Sequence, residues 1–303
     1  MSTVITAAPA EQMEKRASRP SFLGILGGEI FKITRQWTTW VMLILLVGII
    51  TLPYVITLTI PNIKDSIDNA PLRFFYSRMG SNLAVLRAFC GIYLLILTAR
   101  VIGLEYQLGT IRVLLARGVG RLQLLAAKLL AVVIVALTLL IGGLLFNAIL
   151  MSVILTLLTG NLNALSALTS TFWSDTWLYI LTVMTSMGVT ILLAAAVTVL
   201  GRSQVFGLSV ALAWFPADNI GVAFMILAFR LTHNDFWQNI TAYFLGPNLN
   251  VMPTVVVPTQ VFSIGVPPLV QVDGTHTLLV ALVYAIIFAA VAIVLTWRRD
   301  VKE

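Results

Sequence analysis

Six long apolar runs limit what this chain can fold into. They cover approximately residues 37–60, 82–104, 122–158, 178–200, 205–229 and 277–297. Each run is long enough to cross a bilayer of about 30 Å, which takes roughly 20 helical residues. Of the 303 residues, 59% are hydrophobic and only 10% are charged, which is less charge than a soluble domain of this length carries. The sequence therefore predicts an all-α integral membrane protein with six transmembrane helices.

The distribution of basic residues predicts the orientation of these spans. The chain has 19 lysines and arginines and a formal net charge of +7. With the N-terminus inside, 14 of the 19 fall on the inner side, and the outer side keeps Lys64, Arg73, Arg78, Arg87 and Arg230. Cytosolic flanks are enriched in Lys and Arg, so we expect both termini in the cytosol. Topology explains the positive charge, and no nucleic-acid partner is expected.

The segments before the first span form two regions. Residues 1–20 are charged and have no apolar core, which predicts a disordered cytosolic tail rather than a cleaved signal peptide. Residues 21–303 are then a single transmembrane domain. Within residues 21–36, one helical face carries apolar side chains and the other carries Glu29, Lys32 and Gln36. This pattern favours a helix lying in the inner membrane interface; the alternative is a simple extension of the first span.

The outer segment between spans five and six is rich in proline. Pro247, Pro253, Pro258, Pro267 and Pro268 lie between residues 231 and 276, and Pro216 lies in the fifth span itself. Proline at this density argues against a regular helix, and Pro216 predicts a kink or break. Because irregular apolar backbone near a membrane must be buried in protein or line a cavity, we expect a partly re-entrant outer cap. A loosely packed outer loop is the alternative.

A short basic segment separates the second and third spans. The third run has 37 residues, about 55 Å as a helix, so its first turns, with Arg121 and Lys128, are expected to project into the cytosol. Before it, Leu108, Ile111, Leu114 and Leu115 recur at helical spacing on one face. A short amphipathic helix of this kind can dock into a groove on a partner. An ordinary basic loop would explain the arginines but not the spacing.

This segment resembles the cytosolic signature of the ABC type-2 exporter permease family. The residues that carry the resemblance are Glu105, Gly109, Thr110, Arg112, Leu115, Arg117, Arg121 and Lys128. Many members have proline where this chain has Gly118. The resemblance implies that the segment is a coupling helix and that a separate cytosolic subunit binds ATP and Mg²⁺. It also implies a second permease copy or paralogue, surrounding membrane lipid, and a location in the cell (inner) membrane.

The chain itself shows no signal for catalysis. None of its five lysines is followed by Ser or Thr, as a phosphate-binding loop requires. The two histidines, His233 and His276, lie far apart in the outer segment and do not predict a metal site. The single cysteine, Cys90, cannot form an intrachain disulfide. We therefore expect no enzymatic activity and no cofactor in this chain.

Two charged residues are predicted inside the membrane. Arg87 lies in span two and Asp218 in span five, at about 25 Å and about 20 Å from the inner side. These similar depths predict a salt bridge, because an unpaired charge in lipid is costly. The pair either fixes spans two and five together or borders a substrate path.

These features predict the permease subunit of an ATP-binding-cassette exporter. The alternative is an exporter-derived structural subunit of a larger membrane complex that does not transport. A secondary transporter is the third reading, and it would need ionisable relays and broken spans in two matching halves. The sequence leaves the exported substrate open.

Overall fold

The chain is described for residues 21–298 by a computed structural model, and within that range it is helical with no strand. The predicted tail, residues 1–20, lies outside the described residues. The helices are α1 (Phe22–Arg35), α2 (Trp37–Leu58), α3 (Ile63–Asn69), α4 (Pro71–Gln107), α5 (Thr110–Ala116), α6 (Arg121–Thr159), α7 (Ser170–Gly201), α8 (Gln204–Thr232), α9 (Phe236–Asn239), α10 (Leu245–Val256) and α11 (Gly274–Arg298). Two 3₁₀ turns, Asn163–Ala167 and Ile240–Tyr243, join neighbouring helices.

Six of these helices are long and apolar enough to cross a membrane, which confirms the predicted number of spans. They are α2, α4, α6, α7, α8 and α11. The two longest are α4 with 37 residues and α6 with 39, about 55 Å or more each. α4 begins at Pro71, well before the predicted start of its span. Proline is favoured in the first helical turn because its missing N–H is not needed there.

The centre of the bundle is the pair α4 and α7. In their most apolar windows, 67% and 72% of the residues are buried, against 22% or less in α2, α8 and α11. α4 packs against α7, α8, α6 and α2, and α11 packs against α7. The peripheral helices therefore turn broad apolar faces outward, as a lipid environment requires.

α1 is a helix of its own rather than an extension of the first span. The Ser21 hydroxyl caps its first turn by accepting from the Gly24 N–H at 3.1 Å. Gln36 adopts an extended conformation between α1 and α2. The predicted polar face is wrong in one respect, because Glu29 is only 3% exposed and is buried beside Ile33. The location of α1 in the membrane interface stays a prediction.

The outer segment contradicts two of the predictions made from proline. Leu245–Val256 is a regular helix although it contains Pro247 and Pro253. Pro247 lies in the first turn, where backbone N–H groups have no intrahelical partner to lose. α8 also continues as one helix through Pro216, so the fifth span is not broken there; a kink at Pro216 stays a prediction. α10 packs against α7, α8 and α11, so this part of the segment is not a loose loop; its re-entry into the bilayer stays a prediction.

Candidate functional site

The segment between α4 and α6 folds as a short helix bounded by glycines. Gly109 ends α4 with a φ of 68°, and Gly118 follows α5 with a φ of 83°. Both values lie in the left-handed region that glycine adopts without steric cost. Val119 then returns to the interior at 7% exposure. The sequence-predicted amphipathic helix is therefore present as α5, Thr110–Ala116.

The surface of α5 is open along its whole length. Within this helix no residue is buried, and Thr110, Arg112 and Arg117 face outward as predicted. Val113 is 52% exposed and Leu108, just before the helix, is 64% exposed. We call Leu108, Thr110, Arg112, Val113 and Arg117 the α5 surface. Leu108 was predicted on one face with Ile111, Leu114 and Leu115, but it precedes α5 and is exposed, whereas those three are partly buried.

The opposite side of α5 rests on the ends of other helices. Ile111, Leu114 and Leu115 are partly buried. Leu115 lines a cavity of about 140 Å³ together with Arg121, and this cavity also touches Arg202 and Thr296 near the ends of α7 and α11. Four of the predicted site residues line this cavity, namely Gly109, Arg112, Leu115 and Arg121, so Arg112 borders it as well as belonging to the α5 surface.

Behind α5, four charged side chains form a ring that joins three helices. Glu29 and Lys32 come from α1, Glu105 from the last turn of α4, and Lys128 from α6. Lys32 Nζ lies 2.6 Å from Glu29 Oε1 and 2.8 Å from Glu105 Oε1. Lys128 Nζ lies 3.0 Å from Glu29 Oε2 and 3.0 Å from Glu105 Oε1. Each lysine thus contacts both glutamates, and the four charges sum to zero.

Three of the four side chains of the ring are buried. The side chains of Glu29 and Lys128 are 4% and 5% exposed and that of Glu105 is 10% exposed, whereas Lys32 is half exposed. Lys128 also donates to the Val101 carbonyl at 2.7 Å. Burial would lower the pKa of Lys32, but hydrogen bonds and charge from Glu105 and Glu29 raise it above its usual value. Lys32 therefore stays protonated at neutral pH.

The ring also borders a cavity of about 410 Å³, and Leu108, Thr110, Val113 and Arg117 of the α5 surface belong to the lining of this cavity. Its lining includes Gln36 and Arg100, whose Oε1 and Nε atoms are buried without a hydrogen-bond partner among the described residues. Glu105 Oε2 is likewise unpaired within residues 21–298. The ring and most of the α5 surface therefore face the same cavity.

Sequence reasoning found half of this ring. Glu105 and Lys128 belong to the segment that carries the family resemblance, but Glu29 and Lys32 were assigned to a solvated face of α1. One feature of the sequence could have indicated the other half. Glu29 and Lys32 are opposite charges three residues apart on one helical face, and the segment with Glu105 and Lys128 carries a second pair of opposite charges. Periodicity alone could not show that Lys128 is buried and needs a carboxylate.

The predicted salt bridge between Arg87 and Asp218 is wrong. Arg87 is 5% exposed and donates to the carbonyls of Leu249 and Ile264, the latter at 3.1 Å. Asp218 accepts from the Gly246 N–H at 2.7 Å. Both residues hold α10, Arg87 through a carbonyl within it and Asp218 at its N-terminus, where a negative charge is favourable. α10 therefore supplies one partner for each charge, and the Ile264 carbonyl beyond α10 supplies a second one for Arg87.

This arrangement predicts how the two charges behave on substitution. Arg87→Leu removes the donor from the buried Leu249 carbonyl, at a cost of about 1–3 kcal/mol for an acceptor left unpaired, and from the less buried Ile264 carbonyl. We expect a clear drop in the melting temperature in detergent, while Arg73→Leu, an exposed arginine of the same helix, has little effect. The double variant Arg87→Leu/Asp218→Asn should be less stable than either single variant. Recovery of stability in the double variant would instead support a direct interaction between Arg87 and Asp218.

The six long apolar helices are those of a multi-pass membrane protein, and the class of protein follows from the sequence match. The profile described as ABC-2 family transporter protein matches residues 25–217, well over half of the chain. The match runs from α1 into α8 and so includes α5 and the whole charged ring. The chain belongs to the ABC-2 transporter permease family, as the resemblance implied. No curated protein and no solved structure matches it.

Proposed function

We propose that this chain is the permease subunit of an ATP-binding-cassette exporter. A separate cytosolic subunit binds ATP and Mg²⁺ and docks on the α5 surface, and its closure drives substrate export. Membership in the family implies a partnership with an ATP-binding subunit in general. The observation that carries the proposal for this chain is the open α5 surface, whose exposed Leu108 and Val113 lie beside two arginines. Exposed apolar groups with a polar rim are typical of a partner site.

The charged ring supports a route from α5 into the bundle. A push on α5 acts on the end of α4, where Glu105 is tied to Lys32 and Lys128. The ring passes the displacement to α1 and α6, because a buried network of ion pairs resists separation of its members. α4 then carries the movement to the centre of the bundle, where it packs against α7 and α8.

A second copy or paralogue completes the transporter in this proposal. The apolar window of α8 is 11% buried, against 72% for α7. One face of such a helix can pack against the partner permease while membrane lipid covers the rest. Two permease subunits and two ATP-binding subunits would then enclose the path of the substrate.

Purification of the tagged chain from its native membrane tests this function. We expect a complex that contains an ATP-binding polypeptide and hydrolyses ATP. A stable complex with other membrane proteins, but with no ATP-binding polypeptide and no ATP turnover, would contradict the exporter and favour the structural subunit.

The orientation in the membrane is tested by cysteine labelling in intact cells. Ser66 on α3 and Ser174 on α7 are exposed, and we expect cysteines there to react with impermeant thiol reagents from outside. A cysteine at Ser203, between α7 and α8, should react only from inside. The native Cys90 is fully buried and gives little background. Labelling of Ser203→Cys from outside would reverse the topology.

A further inference from the structure

A large apolar cavity lies at the end of the bundle opposite to α5. It measures about 700 Å³, is open on one side, and is lined by residues of α2, the first part of α4 and α7, and the second half of α6. Its walls are rich in aromatic side chains: Tyr54, Phe75, Phe172, Trp173 and Trp177. The cavity shares no lining residue with the charged ring or the α5 surface, so it is a separate feature of the molecule.

One polar side chain in this wall has no partner. Asn82 is 5% exposed, lines the cavity, and its Oδ1 atom accepts no hydrogen bond from residues 21–298. Its neighbour Asn147 is satisfied, because the Tyr54 hydroxyl donates to Asn147 Oδ1 at 2.8 Å and Asn147 Nδ2 donates to the Gly143 carbonyl at 2.8 Å. A buried unpaired carboxamide is unfavourable, so a ligand with a hydrogen-bonding group would satisfy Asn82.

A half-buried arginine lies one helical turn further toward the N-terminus of α4. Arg78 donates to the Thr57 hydroxyl at 2.7 Å and stacks over Phe74. Its Nε atom is buried without an acceptor, and within residues 21–298 no carboxylate forms an ion pair with it. Arg78 is not itself a lining residue of the cavity, but residues four apart lie on the same helical face, so the cation lies next to Asn82 at the edge of the cavity. This arrangement complements an anionic group above a hydroxyl.

The depth of the cavity matches a lipid headgroup. Trp173 and Trp177, in the first turns of α7, line the cavity and are 53% and 68% exposed. Tryptophan is enriched at the boundary between headgroups and hydrocarbon. The mouth of the cavity therefore lies at headgroup level in the leaflet away from α5, with Arg78 and Asn82 beside it.

We propose that this cavity binds an anionic membrane lipid whose headgroup carries a hydroxyl. One hydrocarbon chain occupies the space between α2, α4, α6 and α7, the hydroxyl pairs with Asn82, and the phosphate faces Arg78. The bilayer is as apolar as the cavity, so the chain alone confers no preference. Selection comes from the two polar contacts. The site does not depend on the proposed coupling to ATP, since it lies at the other end of the bundle.

Lipid binding to the purified protein tests this site. The delipidated protein in detergent is titrated with phosphatidylglycerol, which has a phosphate and free hydroxyls, and with phosphatidylcholine, which has no hydroxyl and no net charge. Native mass spectrometry or thermal stabilisation gives the apparent Kd. We expect phosphatidylglycerol to bind roughly tenfold more tightly, as the loss of a charged hydrogen bond suggests. Equal affinity for the two lipids would overturn the proposal.

Matched variants locate the site. Arg78→Gln and Asn82→Leu should each lower the preference for phosphatidylglycerol, whereas Arg73→Gln, an exposed change on the same helix, should keep it. Ala148→Phe fills the cavity from α6 and should abolish the preference without removing a polar group. Ile149→Phe is its control, because Ile149 is 60% exposed and is not part of the lining. Retention of the preference in Ala148→Phe would contradict the site even if Asn82→Leu fails to fold.

Discussion

Lys128→Met should lower the stability of the protein by about 3–5 kcal/mol, the usual cost of removing one partner from a buried ion pair. The Lys128 side chain is 5% exposed and lies 3.0 Å from both Glu29 and Glu105. Methionine preserves most of the volume but leaves two buried carboxylates beside a single, half-exposed Lys32. The measurement is the midpoint of thermal or denaturant-induced unfolding of the purified protein in detergent.

Lys32→Met is the matched control for this prediction. Lys32 contacts the same two glutamates, but its side chain is half exposed. Because water can solvate the carboxylates in place of Lys32, the expected loss of stability is no more than about 1 kcal/mol. In a double-mutant cycle, Glu29→Gln should cost much less in the Lys128→Met background than in the native protein. Equal losses for the two lysine variants, or strict additivity with Glu29→Gln, would show that the ring is not a coupled unit.

Val113→Asp should reduce coupled ATP turnover on the order of tenfold or more, the effect of removing a central contact from a protein interface. Val113 is 52% exposed at the middle of the α5 surface, and it also lines the cavity that borders the charged ring. The substitution would place a carboxylate against the docked subunit, where an unpaired buried charge is costly. The measurement is substrate-stimulated ATP hydrolysis of the purified complex in liposomes.

Leu231→Asp is the matched control, because Leu231 is 75% exposed at the far end of α8. It should leave coupled turnover unchanged. Leu115→Asp is a poorer probe than the sequence suggested, since Leu115 is partly buried and its loss would mix misfolding with failed docking. Normal coupled turnover in Val113→Asp, with the protein inserted at native levels, would remove α5 from the coupling path.

The sequence predicted those features that depend on local pattern. Apolar length located the six spans, and helical spacing after Gly109 located α5. It failed where a side chain finds its partner through tertiary packing. Glu29 fits a polar face by periodicity, but it is buried because Lys128 needs it. Arg87 donates to a backbone carbonyl of a helix that the prolines had argued against, and backbone acceptors leave no mark in a sequence.

The location of the docking site on α5 is the central claim, and a photocrosslink tests it most directly. A photoreactive phenylalanine analogue is placed at Val113 in the chain expressed with its partner subunits, and the same analogue at Leu231 serves as the control. We expect light-dependent crosslinking of the Val113 position to the ATP-binding subunit, with a yield that changes when ATP is bound, and none from Leu231. Crosslinking of Val113 to lipid alone, in a complex that still hydrolyses ATP, would contradict the account.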